Sequence, residues 1–278
     1  MLRTVLAATL LALAAAVLHA GWNLWVKQSG DRWMALWGQM TAAGAAGLVI
    51  ALVVGIPHGF VWWPAVASGV IHTFYIVSLA RSYDLADFSV TYPIARGSGA
   101  LLAAAGGVLF LGDHLSPLMV VGIAISIGGI MLLAGHADNA HARAALVVGA
   151  FIAFYSLVDS HGSRTNSGGV YPLLIFTTTG LFATAHGLAT GRRTEMATAM
   201  RLQWRNFSLA GGASALTYWL VMLAVRRAPV GYVTALRESS VVIVALVGTR
   251  YLGEEGARRR VTAAGVVVAG LVVLVLGR

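Results

Sequence analysis

The sequence predicts an all-α polytopic membrane protein of ten transmembrane helices, arranged as two inverted five-helix repeats. Three observations predict it. Hydrophobic residues make up 58% of the 278 and charged residues only 10%, whereas about a quarter of a soluble domain is charged. Apolar runs near the length needed to cross a bilayer recur along the whole chain. The second half of the chain echoes the first.

Composition also excludes several classes of function. The 33 glycines suit helices that approach closely in lipid. Cysteine is absent, which removes a disulfide framework, a thiolate metal site and a Cys nucleophile. The net charge of +9 raises the question of nucleic acid. The arginines lie mostly at span ends, however, where membrane proteins keep them, so no nucleic-acid partner is expected. The sequence carries no H-x-x-H, no paired-acid motif and no nucleotide-binding loop. No cofactor or metal is expected.

Taken in order, the spans fall at 4–26, 33–54, 62–82, 88–111, 116–135, 144–160, 169–190, 206–226, 231–251 and 261–277. The first resembles a secretory signal after Met1, Leu2 and Arg3. Leu18 fits the small-x-small cleavage rule poorly and the apolar pattern runs on to Val26, so this segment reads as a membrane helix. Residues 27–32 are polar and 55–59 form a turn. Pro93 is expected to break the fourth helix locally and free a carbonyl. Ser116-Pro117 reads as an N-cap followed by proline at the first helical position. Asp113 and Glu254 each follow a glycine at a span end. The sixth span is short and begins after the polar stretch 136–143.

The longest connection is 191–205. Met196, Met200 and Trp204 recur every fourth residue, as do Arg201 and Arg205. A short helix lying in the membrane interface fits this pattern, and so does an ordinary basic loop. Connections after odd-numbered spans hold ten of the Lys and Arg residues outside the spans, and the termini and other connections hold five. That count puts the odd-numbered connections in the cytoplasm and both termini outside.

The internal echo is the most informative pattern. The first span ends L-H-A-G-W-N-L-W-V-K and the sixth ends F-Y-S-L-V-D-S-H-G-S, which sets His19 against Tyr155 and Asn23 against Asp159. The fourth opens S-V-T-Y-P-I-A-R-G-S and the ninth Y-V-T-A-L-R-E-S-S. Both run on to a Gly-acid pair, Gly112-Asp113 and Gly253-Glu254. Residues 1–137 and 138–278 form the two repeats. Five spans per repeat force the second half in upside down, a layout common in secondary transporters.

H-A-G-W-N-L-W-V-K, Y-P-I-A-R-G, L-G-D, A-L-R-E-S-S and L-G-E, in this order and spacing, resemble the EamA type of the drug/metabolite transporter superfamily. The resemblance covers nearly the whole chain. It implies a ten-helix fold in a bacterial-type plasma membrane. It also implies a central cavity lined mainly by the first, third, fourth, sixth, eighth and ninth helices. Substrates across such a family are diverse, so the fold does not choose among them.

Ionisable residues at mid-depth are functional candidates, because a charge there costs about 2.5–3.5 kcal/mol on insertion scales. Arg96 and Arg237 lie in the first third of the fourth and ninth spans. Each offers a permanent fork of donors for carboxylate or phosphate, or pairs with an acid to hold helices together. Glu238 is a candidate coupling-proton site, or a structural acid that offsets one of these arginines. Asp159 can coordinate substrate or meet water at the interface. His19 and Asn23 are four apart on one face of the first helix. Trp22 accompanies them or joins Trp25 in an interfacial belt. His72, Tyr75, Tyr92, Tyr155 and Tyr218 are aromatic residues suited to a wet pocket in an apolar bundle, or to packing. Lys27 is expected to snorkel toward the headgroups.

The expected function is secondary transport of a small anionic or zwitterionic metabolite by alternating access. The partners are then a small-molecule substrate, the lipid bilayer and a coupling proton. The alternatives are proton-coupled export of drug-like cations and an intramembrane enzyme acting on a lipid, although an enzyme is not expected. One chain carries both repeats, so a monomer suffices and a dimer is compatible with the sequence.

Overall fold

Glycine and polar residues mark the points where the chain turns. Asp31 accepts a hydrogen bond from the Met34 N–H at 2.9 Å and so caps the second helix. Gly55 and Gly59 take φ of 88° and 76°, open to glycine and strained for other residues. At Gly112 (φ 66°) the fourth helix closes in the left-handed manner, and the Asp113 N–H returns to the Gly107 carbonyl at 3.0 Å. The Met119 N–H bonds to the Ser116 hydroxyl at 3.2 Å, with Pro117 first in its helix.

The computed structural model describes residues 2–85, 88–134, 139–167, 169–243 and 257–277. They form α1 (Leu2–Gln28), α2 (Arg32–Val54), α3 (Trp63–Leu85), α4 (Phe88–Leu111), α5 (Pro117–Ala134), α6 (Asn139–Thr165), α7 (Val170–Ala189), α8 (Arg193–Val225), α9 (Val230–Arg237) and α10 (Ala257–Leu276). No strand occurs among the described residues. Seven helices, α1 to α4 and α6 to α8, are long and apolar enough to cross a membrane. The apolar parts of α5 and α10 are shorter, Pro117–Leu132 and Val261–Leu276.

The distribution of side chains suits lipid. Val53 is 82% exposed and Phe110 77%, while Gln39 and Asp159 are fully buried and Glu238 is 2% exposed. Without water outside, the few ionised groups need one another and the backbone, and apolar groups can face outward.

Small residues set the closest contacts. α5 packs on α10, where Gly122 and Gly270 each face the backbone of the other helix. α2 packs on α7, and the Thr177 hydroxyl donates across to the Gly44 carbonyl at 3.0 Å. α4 packs on α6. α1 packs on α8 and α6 on α3; α2 packs on α8 and α7 on α3. α9 crosses both α1 and α4.

The connections gather at two ends. At one end, Asn166 clamps residue 61, accepting from the Val61 N–H at 2.8 Å and donating to the Val61 carbonyl at 3.2 Å. Arg164 donates to the Val225 carbonyl at 2.9 Å, and Arg226 donates to the Ser163 carbonyl at 2.6 Å. The C-terminal arginines of α6 and α8 thus cap each other's orphan carbonyls. Asp113 pairs with Arg164 at 2.8 Å and accepts from the Val230 N–H, the first of α9, at 2.7 Å. At the opposite end Arg192 pairs with Asp31 and with Glu195, and its guanidinium lies 4.5 Å from the Trp33 ring.

Four expectations need correction. α6 is 27 residues long, not a short 144–160 span, because helical hydrogen bonding continues through the polar residues that hydropathy excludes. Residues 193–205 are neither a separate interfacial helix nor a loop; they are the first turns of the 33-residue α8. Met196 turns inward on Gly187 and Trp33, which holds that extension to the bundle. α4 runs unbroken through Pro93. The interruption falls in the ninth span, which has no proline: α9 ends at Arg237 and helix resumes at residue 239. The rest of that span, with Gly253 and Glu254, lies outside the described residues.

Candidate functional site

The α9 interruption organises the site. The Glu238 N–H bonds to the Ala235 carbonyl at 3.0 Å, and the Val241 N–H bonds to the Glu238 carbonyl at 2.9 Å. Three-residue spacing of this kind tightens one turn and separates the directions of two adjacent charges. Glu238 turns to α4 and meets Arg96 in a fork, Nη2 to Oε1 at 2.6 Å and Nε to Oε2 at 3.2 Å. Both side chains are buried, 5% and 3% exposed.

Arg237 turns the other way, into an internal cavity of about 40 Å³. His19 and Trp22 of α1 form one wall, and His72 and Tyr75 of α3 with Tyr155 of α6 another. Tyr218 and Ser214 of α8 close it, together with Met40 of α2 and Ile175, Phe176 and Thr179 of α7. His72 lies nine residues into α3, or about 14 Å of rise, so the cavity sits well inside the bundle. His72 stacks on Tyr155 with ring centroids 4.2 Å apart, and the Tyr218 ring stands edge-on to His72 at 5.8 Å. The Arg237 guanidinium is 6.0 Å from the Tyr218 ring centroid.

The wall carries polar atoms without protein partners. They are His19 Nδ1, Trp22 Nε1, Thr179 Oγ1 and Arg237 Nε. Two of the four can only donate. Buried polar groups are normally matched, so an unmatched set converging on one cavity marks a place for a guest with acceptor atoms. Among the described residues Arg237 has no carboxylate partner, because Glu238 is held by Arg96. No group of three His, Cys, Asp or Glu side chains gathers as a metal would require among them.

Seven residues singled out in the sequence thus meet in one wall: His19, Trp22, His72, Tyr75, Tyr155, Tyr218 and Arg237. Tyr92, Arg96 and Glu238 are buried outside the wall. Asn23 is buried too and does not line the cavity. Asp159 is fully buried and accepts hydrogen bonds from Tyr171 (3.2 Å) and Tyr218. The contributions of α2 and α7 were missed by the sequence reading. The run Thr177-Thr178-Thr179 in an apolar span was the signal available for α7.

No family model matches the chain, and no curated protein does. Solved structures do match, 28 chains in all. One, described only as the crystal structure of a protein, superposes with a TM-score of 0.75 over 97% of this chain and 98% of its own. The two share 17% sequence identity, so the likeness shows the fold alone.

Proposed function

We propose that this protein is a secondary transporter that carries a small anionic or zwitterionic solute across the membrane by alternating access. The observation that carries the proposal is the buried cavity where Arg237, without a carboxylate partner, converges with the unmatched Trp22 and Thr179 donors. A permanent cation in low dielectric attracts an anionic group strongly, and its planar fork suits a carboxylate. A drug-like cation would instead meet the Arg237 charge.

Three further features support the reading. The helix carrying Arg237 is interrupted beside the cavity, as helices at transporter binding sites often are. Exchanging each helix of α1–α5 with its counterpart in α6–α10 turns the α1–α8 contact into α6–α3 and α2–α8 into α7–α3, and both pairs of contacts occur. This supports two inverted repeats and a ten-span chain of the EamA type. A polar cleft beside the α1–α2 connection, lined by Trp25, Gln28, Ser29 and Gln203 among others, offers an approach from one end. The central cavity must widen to admit an organic solute, as alternation between two states requires.

The test is uptake by protein reconstituted in liposomes, with radiolabelled pyruvate, glutamate and benzoate as probes. At least one probe is expected to exchange across the bilayer, and Arg237→Ala is expected to lower that exchange by about tenfold or more while inserting normally. Equal flux in empty and loaded vesicles, or full flux in Arg237→Ala, overturns the proposal.

A further inference from the structure

Asp159 is the one fully buried carboxylate among the described residues that pairs with no cation there. Its surroundings are hydroxyls. Tyr218 of α8 donates to Oδ2 and Tyr171 of α7 donates to Oδ1. On α3, Ser68 Oγ is 3.0 Å from His72 Nδ1. His72 and Tyr218 both line the cavity. A direct hydrogen-bonded link therefore runs from the cavity wall to this carboxylate through Tyr218. The other charged or titratable groups near it are Tyr155 and His161 on its own helix and Arg237 on α9, whose guanidinium lies 6.0 Å from the Tyr218 ring centroid. Arg96 of α4 is committed to Glu238.

We infer that Asp159 is a proton-binding site linked to the solute cavity through the Tyr218 hydroxyl. The inference rests on the anion-binding reading of that cavity. An ionised Asp159 can only accept, so Tyr218 must spend its one hydrogen on it. Protonation adds one proton to a carboxylate oxygen, breaks no other bond and removes one negative charge. The new carboxylic O–H then donates to Tyr218 Oη, and the Tyr218 hydrogen is released toward the cavity beside Arg237. The proton and an anionic solute thus favour each other's binding. Arg96 neutralises Glu238, so the proton role expected of Glu238 passes to a carboxylate that lacks a counter-ion.

The test is infrared spectroscopy of the purified protein in lipid vesicles, titrated from alkaline to acid pH. A carboxylic C=O band is expected to grow in, to be missing from Asp159→Asn and to persist in Glu238→Gln. Tyr218→Phe removes a donor to the ionised form, so its midpoint is expected to move to higher pH by about one unit. The same shift is expected of Tyr171→Phe, so the test survives misfolding of Asp159→Asn. A band that never appears, or that survives in Asp159→Asn, overturns the inference, as does an unmoved midpoint in both tyrosine variants. Benzoate, glutamate and pyruvate binding is then measured against pH. Tighter binding at acid pH in the wild type and pH-independent binding in Asp159→Asn support the link. A titrating band with no probe bound sinks the anion reading of the cavity and leaves the proton site standing.

Discussion

Arg96 and Arg237 are buried arginines on crossing helices, and their surroundings are opposite. At the α4–α9 crossing Arg96 closes a two-pronged pair with Glu238. At the cavity wall, one residue away from Glu238 in the chain, Arg237 has an unmatched Nε and no carboxylate partner among the described residues. The difference teaches that a buried charge is read from its partner and not from its depth. The first arginine joins two helices, and the second is left without a carboxylate among the described residues.

Substitutions can break or sharpen this contrast. The largest expected effect is that of Arg96→Ala, which leaves Glu238 as an uncompensated buried charge and is expected to cost about 3–5 kcal/mol. Thermal unfolding in detergent checks it, and replacing both partners by Leu is expected to recover most of the loss. Arg237→Ala should behave in the opposite way. Removing an unpaired buried cation leaves unfolding unchanged or raises its midpoint, while solute exchange falls by about tenfold or more, a loss of at least about 1.4 kcal/mol of binding. Similar destabilisation by the two alanine variants would erase the contrast.

Smaller effects come from outside the site. Asp113→Ala removes the acceptor of the first α9 N–H and the partner of Arg164. A loss of about 1–2 kcal/mol is expected, because α9 then loses the anchor that aims Arg237 and Glu238. The smallest effect belongs to Arg192→Ala. Its pairs with Asp31 and Glu195 are exposed, and exposed pairs contribute at most about 1 kcal/mol. That variant is the control for the buried pair, and its unfolding in low and high salt checks it.

Part of this arrangement was legible in the chain. His19 and Trp22, His72 and Tyr75, Tyr155 and Tyr218 were conspicuous as polar aromatics in apolar spans, and they do meet in one wall. Asp159 was placed by its position near a span end, yet α6 continues to Thr165 and keeps it fully buried. The α8 extension was read as an interfacial helix or a loop because the four-residue recurrence of Met196, Met200 and Trp204 does not show that Met196 packs beside Gly187 and Trp33. Met40 of α2 and Ile175 and Phe176 of α7 gave no signal, since an apolar residue in an apolar span looks the same whether it faces lipid or a cavity.

The sequence by itself determined the helical class and the long apolar helices α1 to α4, α7 and the apolar part of α8. These follow from sums over about twenty residues, the stretch needed to cross hydrocarbon, and such sums are insensitive to neighbours. Only the tertiary structure decided which arginine is paired, where the ninth helix is interrupted and which carboxylate is left without a cation. Those outcomes turn on contacts of about 3 Å between distant segments, and no local pattern specifies them.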